Sequence, residues 1–149
     1  MVLIASSRLG DLEYAGEISP SAAYDFISKT PSLVVDVRTA PEWQFVGVPD
    51  LSATVSQLLN LSWKTYPNFA INAQFADVLA AQPNINKDTP LFFLCRSGGR
   101  SLDAAVAMTA LGYQYCYNIT GGFEGDPNEN GKRGTKNCWK SASLPWGQA

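Results

Sequence analysis

Two short apolar runs constrain the fold of this chain more than any other feature of its sequence. Residues 33–37, Leu-Val-Val-Asp-Val, are rich in β-branched side chains, and residues 91–94, Leu-Phe-Phe-Leu, follow Pro90 directly. Near-continuous apolar runs of this length are typical of strands that are buried on both faces of a sheet. Helical patterns separate the two runs. The sequence therefore predicts an α/β fold in which helices flank a central parallel sheet on both faces.

The ends of several further elements can be placed from capping and breaking residues. The first helix is expected near Glu17, with Ser19 as its N-cap and Pro20 at its first position. Gly112 follows the last apolar helical pattern and is expected to end that helix. The remaining predicted elements are helices over residues 41–46, 72–81 and 101–111 and a strand over residues 113–119.

A single domain, residues 1–149, is the expected organisation, because 149 residues suit one hydrophobic core. We place this core at about residues 15–125. Residues 126–149 are rich in Gly, Asn and Lys and carry few periodic apolar positions. They should form an irregular extension that is held to the core by Trp139 and Trp146, because burial of an indole offsets the cost of ordering the chain.

Charge and hydropathy exclude several classes of partner. The net charge of −2 offers no electrostatic attraction for nucleic acid or for an anionic membrane surface. No apolar run approaches the roughly 20 residues of a membrane-spanning helix, and the N-terminus lacks the basic leader and apolar core of a signal peptide. We therefore expect a cytoplasmic protein that binds neither nucleic acid nor membrane.

The absence of histidine from the whole sequence restricts the possible chemistry. It excludes Ser-His-Asp and Cys-His catalysis, and with them the commonest zinc ligand. The three cysteines, Cys95, Cys116 and Cys138, are an odd number without short paired spacing, so the sequence predicts neither a disulfide framework nor a zinc site. A reducing compartment fits this usage. Any nucleophile in this chain has to be activated without an imidazole.

The residues that follow the second apolar run combine a thiol with cations and a flexible backbone. Cys95 is expected at the carboxyl end of its strand, the edge at which ligand sites of open parallel sheets gather. Gly98 and Gly99 allow successive N–H groups to point to one centre, and the start of the next helix adds partial positive charge. Arg96 and Arg100 add full charges. These features favour the thiolate over the thiol, so the loop is predicted to be a functional site.

Three segments of this sequence together resemble one known family. Residues 95–101, CRSGGRS, are similar to the active-site loop of the single-domain rhodanese-like sulfurtransferases, in which the cysteine carries a persulfide. Residues 36–51, DVRTAPEWQFVGVPDL, resemble the family's D-x-R…E…G-H-I segment, and residues 119–125, ITGGFEG, resemble the Gly-Gly turn after its last strand. Gly47-Val48-Pro49 replaces the usual Gly-His-Ile, and residues 60–70 are longer than a minimal member requires.

The resemblance implies a rhodanese-like fold and a two-step sulfurtransferase. Cys95 would take a sulfane sulfur from a donor such as thiosulfate and pass it to cyanide, a thiol or a protein acceptor. No metal and no organic cofactor is implied. The loop that binds the substrate and the persulfide would consist of Arg96, Ser97, Gly98, Gly99, Arg100 and Ser101.

The charged residues near the loop are given separate roles. Arg96 is expected to bind an anionic donor, because guanidinium groups recognise such anions. Arg100 is expected to be more structural and to pair with a carboxylate such as Asp36 or Glu42. Asp36 and Arg38 are expected to form a structural ion pair. Asp36, Arg38 and Glu42 are therefore predicted to support the site without reacting.

Two other functions remain open from the sequence. A cysteine phosphatase or arsenate reductase also sets a thiolate and an arginine around an anion, but such enzymes resemble C-x5-R, whereas four residues separate Cys95 from Arg100. The loop also lacks an acid that would protonate a leaving alcohol. The second alternative is a non-catalytic rhodanese-like binding or regulatory module, since a fold does not guarantee an activity.

The remaining candidates are interpreted as structural. Residues 126–131 match the first half of an EF-hand loop, but Asn137 stands where a bidentate glutamate is needed, so the segment is predicted to be a polar turn. Cys116 is expected in the core, and Cys138 is expected to be packed or partly exposed.

Overall fold

The central sheet has five parallel strands in a computed structural model that describes residues 13–148. In chain order, the elements are β1 (Gly16–Ile18), α1 (Pro20–Lys29), β2 (Leu33–Asp36), α2 (Ala40–Phe45), β3 (Val48–Pro49), β4 (Gln57–Asn60), β5 (Lys64–Thr65), β6 (Ala70–Ile71), α3 (Phe75–Ala80), β7 (Leu91–Leu94), α4 (Gly99–Ala110), β8 (Cys116–Ile119) and β9 (Trp146–Gly147). The strand order across the sheet is β1-β8-β7-β2-β4. The two apolar runs therefore form adjacent strands in the interior of the sheet, as their composition predicts.

Side-chain alternation along the strands divides the interior into two cores on opposite faces of the sheet. One core contains Leu91 and Phe93 of β7 together with Ala104 of α4 and Leu79 of α3. The other core contains Phe92 and Leu94 of β7 together with residues of α1, including Ala23 and Ile27. The α/β fold with a parallel sheet between helices is thus confirmed.

Most sequence-based element predictions are confirmed, with shifts at the ends. Helix α1 begins as expected, since the Ser19 side chain accepts a hydrogen bond from the backbone N–H of Ala22 at 3.2 Å and Pro20 is the first helical residue. Helix α4 begins at Gly99, two residues earlier than predicted, because Gly98 adopts a positive φ of 116° and turns the chain into the helix. Helix α3 and strand β8 are shorter than predicted at their N-terminal ends.

Several short elements were not predicted. Strands β1 and β4 lie at the two edges of the main sheet, and the two residues in the middle of β4 are only half-buried. Strands β5 and β6 form an antiparallel hairpin within residues 60–70 and just beyond. Runs of two to four residues are too short to show the alternation of apolar and polar side chains that marks a strand. These strands are recognised only by their backbone pairing with other strands.

The C-terminal segment returns to the main body. Trp139 is fully buried beside Tyr24 of α1, and its indole Nε1 donates a hydrogen bond to the carbonyl of Pro145 at 2.8 Å. Strand β9 then pairs with β3 in an antiparallel manner, so it covers the segment that departs from the family pattern. The EF-hand-like segment is a turn in which the Asn128 carboxamide oxygen accepts the backbone N–H groups of Asn130 and Lys132.

Within residues 13–148, no helix is long and apolar enough to cross a membrane.

Candidate active site

Cys95 lies at the carboxyl edge of the sheet, immediately after β7 and before α4. Its residue is only 1% exposed, so the thiol is enclosed by the loop and by the neighbouring strand ends. Asp36 at the end of β2 and Asn118 in β8 lie on the two strands that flank β7. The parallel topology therefore brings side chains from three separate parts of the chain to one edge.

The Gly-Gly turn after β8 fixes the start of the loop. The backbone N–H of Phe123 donates to the Cys95 carbonyl at 2.8 Å, and the N–H groups of Glu124 and Gly125 both donate to the Arg96 carbonyl. Gly122 has a φ of 63°, and a Cβ added there would lie 2.4 Å from the Cys95 carbonyl oxygen. Only glycine allows this close approach, so the second glycine of ITGGFEG is needed to hold the loop.

Two hydrogen-bonding groups contact the sulfur atom. The backbone N–H of Gly98 donates to Cys95 Sγ at 3.0 Å, and the Ser101 hydroxyl oxygen lies 3.2 Å from the same atom. Gly98 can direct its N–H toward the sulfur because its positive φ is open to glycine. A ring of several loop N–H groups around the sulfur stays a prediction.

The Ser101 hydroxyl has a second partner in Asn118. Ser101 Oγ lies 2.5 Å from Asn118 Oδ1, whereas Asn118 Nδ2 donates to the Glu17 carboxylate and to the Gly98 carbonyl. These acceptors orient the carboxamide, so its oxygen faces the serine. A hydroxyl carries one hydrogen and cannot donate to Asn118 and to the sulfur at once. Asn118 therefore competes with Cys95 for the hydrogen of Ser101.

This competition predicts opposite effects for two substitutions. Ser101→Ala removes a donor from the sulfur and should lower the rate constant for alkylation of Cys95 by iodoacetamide about tenfold, because the thiolate is the nucleophile and a hydrogen bond to a charged group is worth about 1.5–3 kcal/mol. Asn118→Ala frees the Ser101 hydroxyl for the sulfur and should raise that rate constant. The measurement is the alkylation rate at one fixed pH, with the rate of the Cys95→Ser variant subtracted. Changes in the same direction would contradict the competition.

Arg100 forms a bidentate ion pair with Glu42 of α2, at 2.7 and 2.9 Å. Burial raises the pKa of Glu42, but the hydrogen bonds and charge of Arg100, with further hydrogen bonds from Thr39, outweigh it and leave the pKa below its ordinary value. The stabilisation from this pair is present above the ordinary pKa of glutamate and is lost as the pH falls through the lowered folded value. Glu42, and not Asp36, is therefore the bidentate partner of Arg100.

Arg38 and Asp36 form the expected ion pair, and both side chains are completely buried. Arg38 Nε and Nη2 donate to the two carboxylate oxygens at 2.9 and 2.7 Å, and Nη2 also donates to the Gly47 carbonyl. The guanidinium carbon lies 4.3 Å from the centre of the Phe123 ring. The pair thus connects the end of β2, the segment before β3 and the turn that holds the loop.

A cavity of about 570 Å³ lies beside the loop, and we call it the loop-side cavity. Arg96 and Arg100 of the loop line one part of it. Glu42 and Val46 line a second part, and Tyr66 and Phe69 of the segment joining β5 and β6 line a third. Arg96 is exposed, whereas Arg100 is half-buried and paired with Glu42, so Arg96 is the loop arginine whose charge is open to a ligand in this cavity.

The comparisons with known proteins agree with this geometry. A family model described as the rhodanese-like domain matches residues 19–126. This chain belongs to the rhodanese-like domain family. The crystal structure of Rv0390 from M. tuberculosis is 40% identical and superposes with a TM-score of 0.82, covering 91% of this chain and 99% of that one.

Two further relatives extend the rhodanese-like comparison. An uncharacterized protein of Rickettsia rickettsii is 42% identical over 130 residues, which are 87% of this chain and 94% of that protein. The thiosulfate sulfurtransferase GlpE of Actinobacillus succinogenes is 25% identical over 129 residues, which are 87% of both chains. The sequence-based assignment to the rhodanese-like family and fold is therefore confirmed.

The structure adds two residues to the candidate site that the sequence analysis missed. Asn118 of β8 contacts the Ser101 hydroxyl and the Gly98 carbonyl, and its Nδ2 also donates to the carboxylate of Glu17 in β1, which lies 101 positions away along the chain. A buried polar residue inside an otherwise apolar strand was the available signal for Asn118. Glu17 gave no signal, because its strand was not predicted.

Proposed function

We propose that this protein is a sulfurtransferase that carries a sulfane sulfur on Cys95 and passes it to cyanide or a thiol. The observation that carries the proposal is the position of Cys95 Sγ, 3.0 Å from the Gly98 N–H and 3.2 Å from the Ser101 hydroxyl at the start of α4. Hydrogen-bond donors stabilise an anionic sulfur without an imidazole. The likeness to a thiosulfate sulfurtransferase of A. succinogenes supports the same reaction.

In the first step, the Cys95 thiolate attacks the outer sulfur of thiosulfate. A bond forms between Sγ and that sulfur, the sulfur–sulfur bond of thiosulfate breaks, and sulfite leaves with the electron pair. The first N–H groups of a helix lack intrahelical acceptors, so the start of α4, Gly99 to Ser101, is suited to stabilising the persulfide anion.

In the second step, the acceptor attacks the outer sulfur of the persulfide. Cyanide becomes thiocyanate, or a thiolate becomes a persulfide, and the electron pair of the broken bond returns to Sγ as thiolate. No net oxidant or reductant is needed, because the sulfane sulfur moves in the same oxidation state. Covalent storage divides one transfer into two easier steps.

Intact-mass measurement after thiosulfate treatment tests the proposal directly. We expect the protein to gain the mass of one sulfur atom and to lose it when cyanide is added. A chain that gains no sulfur from thiosulfate would contradict the sulfurtransferase reaction and would favour a non-catalytic rhodanese-like module.

Arg96 is proposed to bind the anionic donor, and its removal gives a separate prediction. Arg96→Ala should raise the KM for thiosulfate about tenfold or more, because a hydrogen bond from a charged group is worth about 1.5–3 kcal/mol, with little change in thermal stability since the side chain is exposed. Lys29→Ala is the matched control, because Lys29 is an exposed cation at the far end of α1. An unchanged KM for thiosulfate in steady-state kinetics would contradict the proposal that Arg96 binds the donor.

Phosphatase or arsenate reductase chemistry is not supported by the position of Arg100. Both terminal nitrogens of Arg100 bind the Glu42 carboxylate, so the guanidinium is already engaged by an anion of the protein itself. The spacing of four residues between Cys95 and Arg100 also differs from C-x5-R. A persulfide is therefore the better candidate for the loop than a bound oxyanion.

We place the reaction in the cytoplasm. The three cysteines are free thiols, and all three are buried. A reducing compartment keeps such thiols available for persulfide chemistry.

A further inference from the structure

The loop-side cavity is much larger than the substrates of the simplest rhodanese reaction. Its volume of about 570 Å³ lies within the range of about 300–1,000 Å³ that is typical of pockets for organic ligands. Thiosulfate and cyanide have only a few atoms each and would leave most of this space to water. At least one natural substrate is therefore expected to be a larger molecule.

The β5–β6 hairpin gives the cavity an apolar wall. Tyr66 is 62% exposed and Phe69 is 51% exposed, although both are aromatic, and both line the cavity. Phe69 has a φ of 55°, which is unfavourable for a bulky residue, and its N–H donates to the Thr65 carbonyl at 2.7 Å. Unfavourable backbone conformations of this kind cluster at functional sites. The hairpin thus presents two aromatic side chains to a ligand.

The cations of the cavity add a preference for anions. Lys64 and Arg96 both line it, and within residues 13–148 neither forms an ion pair. Arg100 and Glu42 neutralise each other, and Glu124 adds one further carboxylate. The lining is therefore net positive, while its aromatic wall favours an apolar body.

We propose that the loop-side cavity is the acceptor subsite, and that its occupant is a low-molecular-weight organic thiol carrying one or more carboxylates. Tyr66 and Phe69 contact the apolar part of this thiol, and Lys64 pairs with a carboxylate. The proposal rests on the sulfurtransferase function. The thiolate of the acceptor attacks the outer sulfur of the Cys95 persulfide, a new sulfur–sulfur bond forms, and the Cys95 thiolate leaves.

Single-turnover transfer from the persulfide-loaded protein tests the acceptor. With glutathione, Phe69→Ala and Tyr66→Ala should each lower the second-order rate constant about fivefold to tenfold. A loss of about 1.4 kcal/mol in contact free energy corresponds to a tenfold lower rate constant. With cyanide, both variants should stay within about twofold of the unaltered protein. Ile71→Ala is the matched control, since Ile71 is a similarly exposed apolar residue of the same hairpin, 59% exposed, outside the cavity lining.

Charge selectivity is tested with two thiols of similar size. Mercaptopropionate should react faster than the cationic mercaptoethylamine at equal thiolate concentration, and Lys64→Gln should reduce that ratio at least about threefold. Equal losses with cyanide and glutathione in the hairpin variants would overturn the proposal, because the hairpin would then shape the loop and not the subsite. A small dithiol protein that reacts faster than every small thiol, and is insensitive to Phe69→Ala, would also overturn it.

Binding of an unreactive analogue separates the subsite from the chemistry. S-methylglutathione keeps the carboxylates but cannot accept sulfur, so calorimetry with the resting protein does not require a persulfide. We expect saturable binding that Phe69→Ala and Lys64→Gln weaken and Ile71→Ala does not. Absence of binding would contradict the subsite, whereas binding without sulfur uptake from thiosulfate would contradict only the sulfurtransferase reaction.

Discussion

Replacement of Cys95 by serine is expected to abolish sulfur transfer from thiosulfate to cyanide, lowering turnover by at least about 10³-fold. The hydroxyl of serine is a far weaker nucleophile at neutral pH and forms no persulfide. The variant therefore has no sulfur atom that could take the sulfane sulfur from thiosulfate in the first step. The Gly98 N–H and the Ser101 hydroxyl would still find an oxygen acceptor near the position of Sγ. The fold should therefore persist, with a circular dichroism spectrum like that of the unaltered protein.

A second cysteine provides the control for this experiment. Cys138 is also a buried free thiol, but its contacts are with Ser141 in the C-terminal segment. Cys138→Ser should retain the gain of one sulfur atom in the intact-mass experiment, whereas Cys95→Ser should lose it. If Cys95→Ser keeps more than about a tenth of the activity, the nucleophile has been assigned to the wrong residue.

The largest expected effect on stability comes from Asp36→Asn. This substitution keeps the shape of the side chain but removes the charge that compensates Arg38, and both residues are completely buried. Breaking a buried ion pair typically costs about 3–5 kcal/mol, because the remaining charge stays out of water without a partner. Since domains are commonly stable by only about 5–15 kcal/mol, the free energy of unfolding should fall by a large fraction. Urea denaturation measures this change.

Two comparisons make the stability prediction specific. Asp25→Asn breaks the ion pair with Lys29, in which the Asp25 side chain is 70% exposed and the Lys29 side chain is 73% exposed. This substitution should change the free energy of unfolding by less than about 1 kcal/mol. The double variant Asp36→Leu with Arg38→Met removes both buried charges and should be more stable than Asp36→Asn. A loss below about 1 kcal/mol for Asp36→Asn would show that the pair does not hold the end of β2 and the loop turn together.

The parts of the fold that could be predicted are those whose signals are local. The runs at β2 and β7 are apolar at nearly every position because both faces of the strand are covered, and this composition is visible in a few residues. The start of helix α1 could be placed to the residue because Ser19 caps the helix and Pro20 begins it. The same locality applies to the loop, where cysteine, glycines and arginines lie within seven residues.

The edge strands and the hairpin could not be predicted for the opposite reason. Strands β1 and β4 are three and four residues long, and they are defined by backbone pairing with β8 and β2. The hairpin of β5 and β6 has two residues in each strand, so no hydrophobic period exists to be read. Residues of this hairpin line the loop-side cavity, so the cavity could not be predicted from the sequence either.

The sequence by itself determined the class of fold and the absence of imidazole chemistry, and it predicted Cys95 as the nucleophile, because each depends on residue identity and not on long-range contacts. The tertiary structure alone decided that Glu42 binds Arg100 and that Asn118 shares the Ser101 hydrogen with Cys95. It also placed the aromatic hairpin beside Arg96. These contacts join residues far apart in the chain, and they are fixed by how parallel strands order themselves in a sheet, which depends on long-range packing and backbone pairing.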